Sequence, residues 1–212
     1  MKMSRVIILA FALGAAACSA RADFYSKLGA LYNTPGDLKV DGAGAFKASL
    51  NSSLGYTAAV GYKFSLLRAE AEVQYFKSST DSASNASRTG VTVTGDEKQY
   101  NAFLNGYLDL PSFFGLAPYA GAGIGYSRVD LEQLSALQGS TSVVQMGSRG
   151  RANAYQFMGG LEFHVLGKAT LNVGYRFMHK GPFPTRNFAS NLRQNVSWGV
   201  DKMVEVGLAW GF

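Results

Sequence analysis

Met203-Val204-Glu205-Val206-Gly207-Leu208-Ala209-Trp210-Gly211-Phe212 is the stretch that decides the fold. Val204, Val206, Leu208, Trp210 and Phe212 are apolar, and the residues between them are small or polar apart from Met203. A period of two is the signature of a β-strand with one apolar face. In a soluble domain such a strand would leave an apolar edge that invites aggregation. A transmembrane barrel accommodates it, with one face on lipid, the other on the lumen, and no edge after closure.

Seven further segments repeat the pattern. The first has Phe24, Leu28, Ala30 and Tyr32 against Lys27 and Gly29. The second alternates Leu54, Tyr56, Ala58, Val60, Tyr62 and Phe64 with Gly55, Thr57, Ala59, Gly61 and Lys63. The third sets Leu67, Ala69, Ala71, Val73 and Tyr75 against Arg68, Glu70, Glu72 and Gln74. The fourth sets Tyr100, Ala102, Leu104, Gly106 and Leu108 against Gln99, Asn101, Asn105 and Asp109. The next three centre on Ala120–Tyr126, Tyr155–Phe163 and Leu171–Phe177. Each is about ten residues long, the length a tilted strand needs to cross an outer membrane. The expectation is an all-β, eight-stranded, antiparallel, up-and-down transmembrane barrel.

Charge placement separates this barrel from a soluble sandwich. Lys63, Arg68, Glu70, Glu72, Asp109, Glu162, Arg176 and Glu205 all have the parity opposite the apolar face. In a sandwich these charges would face water and the apolar faces would pack together; in a barrel the apolar shell is covered by lipid. Arg128 has the apolar parity but falls at the outer end of its strand, where lipid phosphates begin.

The N-terminus reads as a secretory leader. Lys2 and Arg5 precede an apolar run, Val6–Ala17, too short to span a bilayer, and Ala20-Arg21-Ala22 offers a small-x-small cleavage site. The expected organisation is a cleaved leader over 1–22 and one barrel domain over 23–212, with no extension after Phe212. Cys18, the single cysteine, lies in a poor lipobox and would leave with the leader. Lys2, Arg5 and Arg21 would leave too, halving the formal charge of +6, which argues against nucleic acid as a partner. The 25 glycines suit strands that pack closely against bulky lumen neighbours.

Connections alternate short and long. Ser65-Leu66, Pro111–Ala117 and Leu166-Gly167-Lys168 are short; Asn33–Ser53, Lys77–Lys98, Val129–Asn153 and His179–Trp198 are long and polar. Short periplasmic turns and long external loops are the outer-membrane pattern, with both termini in the periplasm. Leu131, Leu134 and Leu137 have helical spacing, which predicts a short helix in the third loop; Ser78–Ser87 is low in complexity and is expected to be mobile.

Pro118-Tyr119-Ala120-Gly121-Ala122-Gly123-Ile124-Gly125-Tyr126 resembles the "PYxGxGxGY" strand of the small outer-membrane β-barrel proteins. These are the porin-family and surface-antigen barrels related to the OmpA transmembrane domain and the neisserial opacity proteins. Gly174-Tyr175-Arg176-Phe177 resembles their penultimate strand, and Trp210 with Phe212 resembles the signal read by the barrel-assembly machinery. The resemblance implies a Gram-negative outer-membrane protein, inserted by that machinery and monomeric. It implies no particular chemistry, because the fold hosts many functions. Nothing resembling a peptidoglycan-binding domain follows the barrel.

The candidate site is the lumen network of Lys63, Arg68, Glu70, Glu72, Asp109, Glu162, Arg176 and Glu205, joined by Lys27. It reads either as an ion-paired plug or as the lining of a narrow channel. Enzyme chemistry is not expected. His164, with inward parity, and His179, opening the last loop, lack the serine and acid that a lipid deacylase would set beside them, and the lumen charges oppose an acyl pocket. No metal spacing appears and no cofactor is expected. Gly121, Gly123 and Gly125 lie within a strand and are not a phosphate loop. Lys180, Arg186 and Arg193 in the fourth loop, and Arg149 and Arg151 closing the third, suit contacts with lipopolysaccharide phosphates. The first loop, with Asp37, Lys39, Asp41 and Lys47, is mixed in sign. The functional expectation is a non-enzymatic surface or envelope-integrity protein whose loops contact lipopolysaccharide or an external ligand; the alternative is a porin-like channel for ions or small solutes.

Overall fold

The computed structural model describes residues 23–36, 38–41, 46–48, 51–80, 91–138, 141–186 and 193–211. The expected leader over 1–22, most of Ser78–Ser87 and Phe212 lie outside the described residues. The strands are β1 (Asp23–Thr34), β2 (Leu38–Asp41), β3 (Phe46–Ala48), β4 (Ser53–Phe64), β5 (Leu67–Thr80), β6 (Val91–Asp109), β7 (Leu116–Gln138), β8 (Thr141–Leu166), β9 (Ala169–Lys180), β10 (Phe183–Arg186), β11 (Arg193–Trp198) and β12 (Asp201–Gly211). Eight of them, β1, β4 to β9 and β12, close an antiparallel barrel in chain order, with β12 paired to β1. Closure satisfies every ladder edge internally, the condition for crossing hydrocarbon with strands.

The alternation places residues as the period demands. Leu28, Tyr56, Leu104, Ile124, Phe157 and Trp210 face outward and are about half to 70% exposed, while Lys27, Glu72, Gln156, Arg176 and Glu205 are buried. Phe24, Tyr62 and Phe64 form an aromatic group near the inner rim, with Tyr62 and Phe64 centroids 4.0 Å apart. Tight turns close that rim: Ser65 adopts φ 52°, and Phe114-Gly115 adopt 51° and 79°.

Three expectations change. Leu131, Leu134 and Leu137 are not helical: β7 runs on through Gln138, paired to β6 on one side and β8 on the other. Two ladders supply its backbone partners where a short exposed helix would rely on its own. Register shifts between Leu131 and Leu134 and between Ala136 and Leu137 absorb the three-residue spacing. The second and third long connections are therefore largely strand, and Arg149 and Arg151 belong to β8. His164 is not buried in the lumen; it is exposed at the inner end of β8, beside a register shift before Leu166.

The first and last connections build a second sheet in the order β10-β11-β2-β3. Lys39 is opposite Lys47 and Ser197, and Arg186 is opposite Arg193. The first connection thus pairs with the last, through β2 and β11.

Candidate functional site

The lumen is organised in layers along the barrel axis. At the inner end, Lys63 Nζ lies 2.8 Å from Asp109 Oδ2, and Arg68 bridges Asp109 and Glu162. Lys63 is 40% exposed at the rim; the other three are buried. The Arg68 guanidinium sits 4.5 Å from the centroid of Tyr107, with Tyr25 and Tyr119 at 5.6 and 5.4 Å. Three ring faces thus take the place of water around a cation.

The central layer is the most densely bonded. Lys27 Nζ reaches Glu70 Oε1 at 3.0 Å and Glu205 Oε1 at 3.3 Å. Arg176 donates through Nε to Glu205 Oε2 at 2.7 Å and through Nη1 to Glu72 Oε2 at 2.9 Å. Thr57, Asn105 and Gln156 donate to Glu72, and Tyr25 and Tyr107 donate to Glu70. Buried carboxylates are tolerable on these terms, with cations opposite and neutral donors on the remaining lone pairs.

An apolar cluster follows, with a chain of buried amides beside it: Gln74 donates to Gln156 at 3.2 Å, Asn101 to Gln74 at 3.0 Å and Gln99 to Asn101 at 3.1 Å. Leu31, Phe76, Phe103, Ala154, Met178 and Met203 form one buried cluster, with the largest exposure 3%. Beyond it, at the outer mouth, Lys180 Nζ is 2.8 Å from Asp201 Oδ2 and donates to Gln99 Oε1 at 3.3 Å. A cavity of about 10 Å³ lies there, lined by Asn33, Ser53, Ser78, Gln99 and Lys180 among others. That is room for about one water molecule.

The structure therefore brings the eight lumen charges and Lys27 into two ion-paired layers. It removes Lys180 from the fourth loop: this residue closes β9, shares the parity of Arg176 and Met178, and is buried in the lumen. His179, its neighbour, lies on the outward side with its ring 4.8 Å from Tyr155. Sequence reasoning missed the aromatic partners Tyr25, Tyr107 and Tyr119, although Tyr107 shares the parity of Asn105 and Asp109. It also missed Asp201, whose parity matches Glu205. Among the described residues, no group of three or more His, Cys, Asp or Glu could hold a metal ion.

The glycines of β7 serve the lumen. A Cβ at Gly121 would stand 2.4 Å from the Tyr107 ring, and one at Gly125 would stand 2.0 Å from the Ala102 carbonyl oxygen. On the outer wall, Arg128 donates to Asp130 through Nε and Nη2, each at 3.0 Å. This bidentate pair explains how an arginine of lipid-facing parity is accommodated at the rim.

Comparison with known proteins agrees with this architecture. The family model "Outer membrane protein beta-barrel domain" matches residues 6–212. An uncharacterized protein of Brucella abortus is 26% identical over 149 residues, covering 61% of this chain and 52% of that protein. The chain thus spans about half the length of the curated relatives it matches. Neisserial surface protein A superposes with a TM-score of 0.58 at 19% identity, covering 89% of this chain and 97% of that one. OprG from Pseudomonas aeruginosa gives 0.54 at 18% identity, covering 90% and 96%. Likenesses at these identities speak to the fold.

Proposed function

Because the chain belongs to the outer-membrane protein β-barrel family and resides in the bacterial outer membrane, we propose that it serves the envelope from its outer surface and carries no solute through its lumen. The observation that carries this reading is the filled interior: two ion-paired layers, then an apolar cluster with a chain of bonded amides beside it, occupy the lumen with buried side chains. Eight strands leave an interior just wide enough for side chains to fill. A barrel filled in this way is a rigid base for external elements, which here are the extended β5–β6 and β7–β8 hairpins and the second sheet. They contact lipopolysaccharide or an external ligand, and the protein performs no catalysis.

The channel reading draws on the charged lumen, and one experiment separates the two. The full chain, expressed with its leader, is purified from outer membranes and inserted in planar bilayers. A folded, silent barrel is expected. Reproducible current steps that change on Glu72→Gln or Arg176→Gln would replace this reading with the channel.

A further inference from the structure

We propose that the outward wall of β5 to β8 is a binding site for the phosphate groups of outer-leaflet glycolipid; the inference rests on the surface role above and gives it a place and a ligand chemistry. The registers align two rows of outward residues across four adjacent strands. Tyr75, Tyr100, Arg128 and Arg151 stand directly opposite one another, and two residues farther out stand Lys77, Lys98 and Asp130. The rows are about 6–7 Å apart and the first is about 14 Å wide. Four of the seven positions are cationic and one is acidic.

Three observations point to a phosphorylated lipid. First, the register opposes like charges directly, Lys77 to Lys98 and Arg128 to Arg151. Such pairs destabilise a sheet unless an anion lies between them. Asp130 is the one acid within the rows, and Arg128 already grips both its oxygens. Lys77, Lys98 and Asp130 also have protein partners, so a phosphate would join an existing network. Second, the depth is right. Tyr75 and Tyr100 pair at 5.1 Å, and Tyr126 is 69% exposed below Arg128. Tyrosines of this kind mark the membrane–water interface, and the cations begin where the aromatic belt ends. Third, the patch faces sideways, toward lipid, so its natural counter-ion is carried by the leaflet and not by the medium. Guanidinium groups suit phosphate through paired N–H donors.

The test is native mass spectrometry of the purified chain in detergent, titrated with diphosphoryl lipid A, monophosphoryl lipid A and dephosphorylated lipid A. The double variants are Arg128→Gln with Arg151→Gln, and Lys77→Gln with Lys98→Gln. Lys202→Gln, an exposed outward position on β12 across the barrel, is the control. The expected result is preferential binding of the diphosphoryl form, weakened about tenfold or more in each double variant and unchanged in the control. Each variant is first shown to melt cooperatively, since Arg128→Gln also removes the bidentate pair with Asp130. Equal binding by wild type and double variants, or binding indifferent to phosphate number, overturns the site. Either failure with a silent barrel would leave the surface reading standing, whereas a conducting barrel would reject that reading independently of this wall.

Discussion

Arg176 shows how much a single lumen residue carries. It is 1% exposed and pairs with both Glu72 and Glu205. Arg176→Met would leave two buried carboxylates facing an apolar side chain. Removing one partner of a buried pair costs about 3–5 kcal/mol, so a marked fall in the urea midpoint of the folded barrel is expected. Adding Glu205→Gln should recover part of the loss, since a neutral amide needs no cation. No recovery would mean that shape, not charge, dominates the site. The parity of Arg176 is readable in Asn172-Val173-Gly174-Tyr175-Arg176, so its inward placement was legible. Its partners were not: Glu72 lies 104 residues away in the chain, and nothing in alternation says which strand stands across the lumen. Lys180 was misplaced for a related reason. Its polarity reads as loop, and only the ladder of β9 with β8, running to the Ala154–Lys180 pair, carries it inside.

At the scale of elements, turns and glycines decide what the strands permit. Ser65 holds a left-handed φ of 52° in the β4–β5 turn, a conformation that costs an L-residue about 1–2 kcal/mol. Ser65→Gly should therefore stabilise the barrel by up to about 1 kcal/mol, read as a raised melting temperature. A lower one would show that the serine side chain contributes more than its backbone strain. Gly125→Val in β7 should act in the opposite sense. Even its Cβ would meet the Ala102 carbonyl oxygen and the Phe103 ring, and overpacking of this kind costs about 1–3 kcal/mol; an unchanged melt would show that β6 can move aside. The strands themselves were legible from period two, but their outer ends were not. Hydrophobic alternation stops at the lipid boundary, while hydrogen-bonded pairing continues: β7 has 23 residues and β8 has 26, where about 9–11 suffice to cross. The expected helix failed there because ladder partners on both sides outweigh a local spacing of leucines.

For the whole molecule, the closures in series make a prediction that neither makes alone. Phe76→Ala with Phe103→Ala thins the apolar cluster but leaves the Lys27–Glu70 and Arg176–Glu205 pairs beneath it. On the closed-lumen reading this double variant conducts no more than wild type. Adding Arg176→Ala and Glu205→Ala still leaves the Arg68–Asp109–Glu162 layer in the path, so conductance is expected only when Arg68→Ala is added as well, read as single-channel steps from a chain that still melts cooperatively. Current from the aromatic variant alone would show that the ion-paired layers are wet and open, and that the apolar cluster is the only barrier.

Alternation alone determined the class of structure, the face each strand shows to lipid, and the inward parity of the lumen charges, because a period of two is a local property of the backbone. It also identified the short turns of the inner rim from their length. Tertiary structure decided the rest: which charges meet across the lumen, where the apolar cluster lies, how the first and last connections join into one sheet, and that Tyr75, Tyr100, Arg128 and Arg151 form a single row. These depend on register between strands and on closure of the ring. Both are set by the summed fit of many cross-strand pairs, which no strand carries in its own sequence.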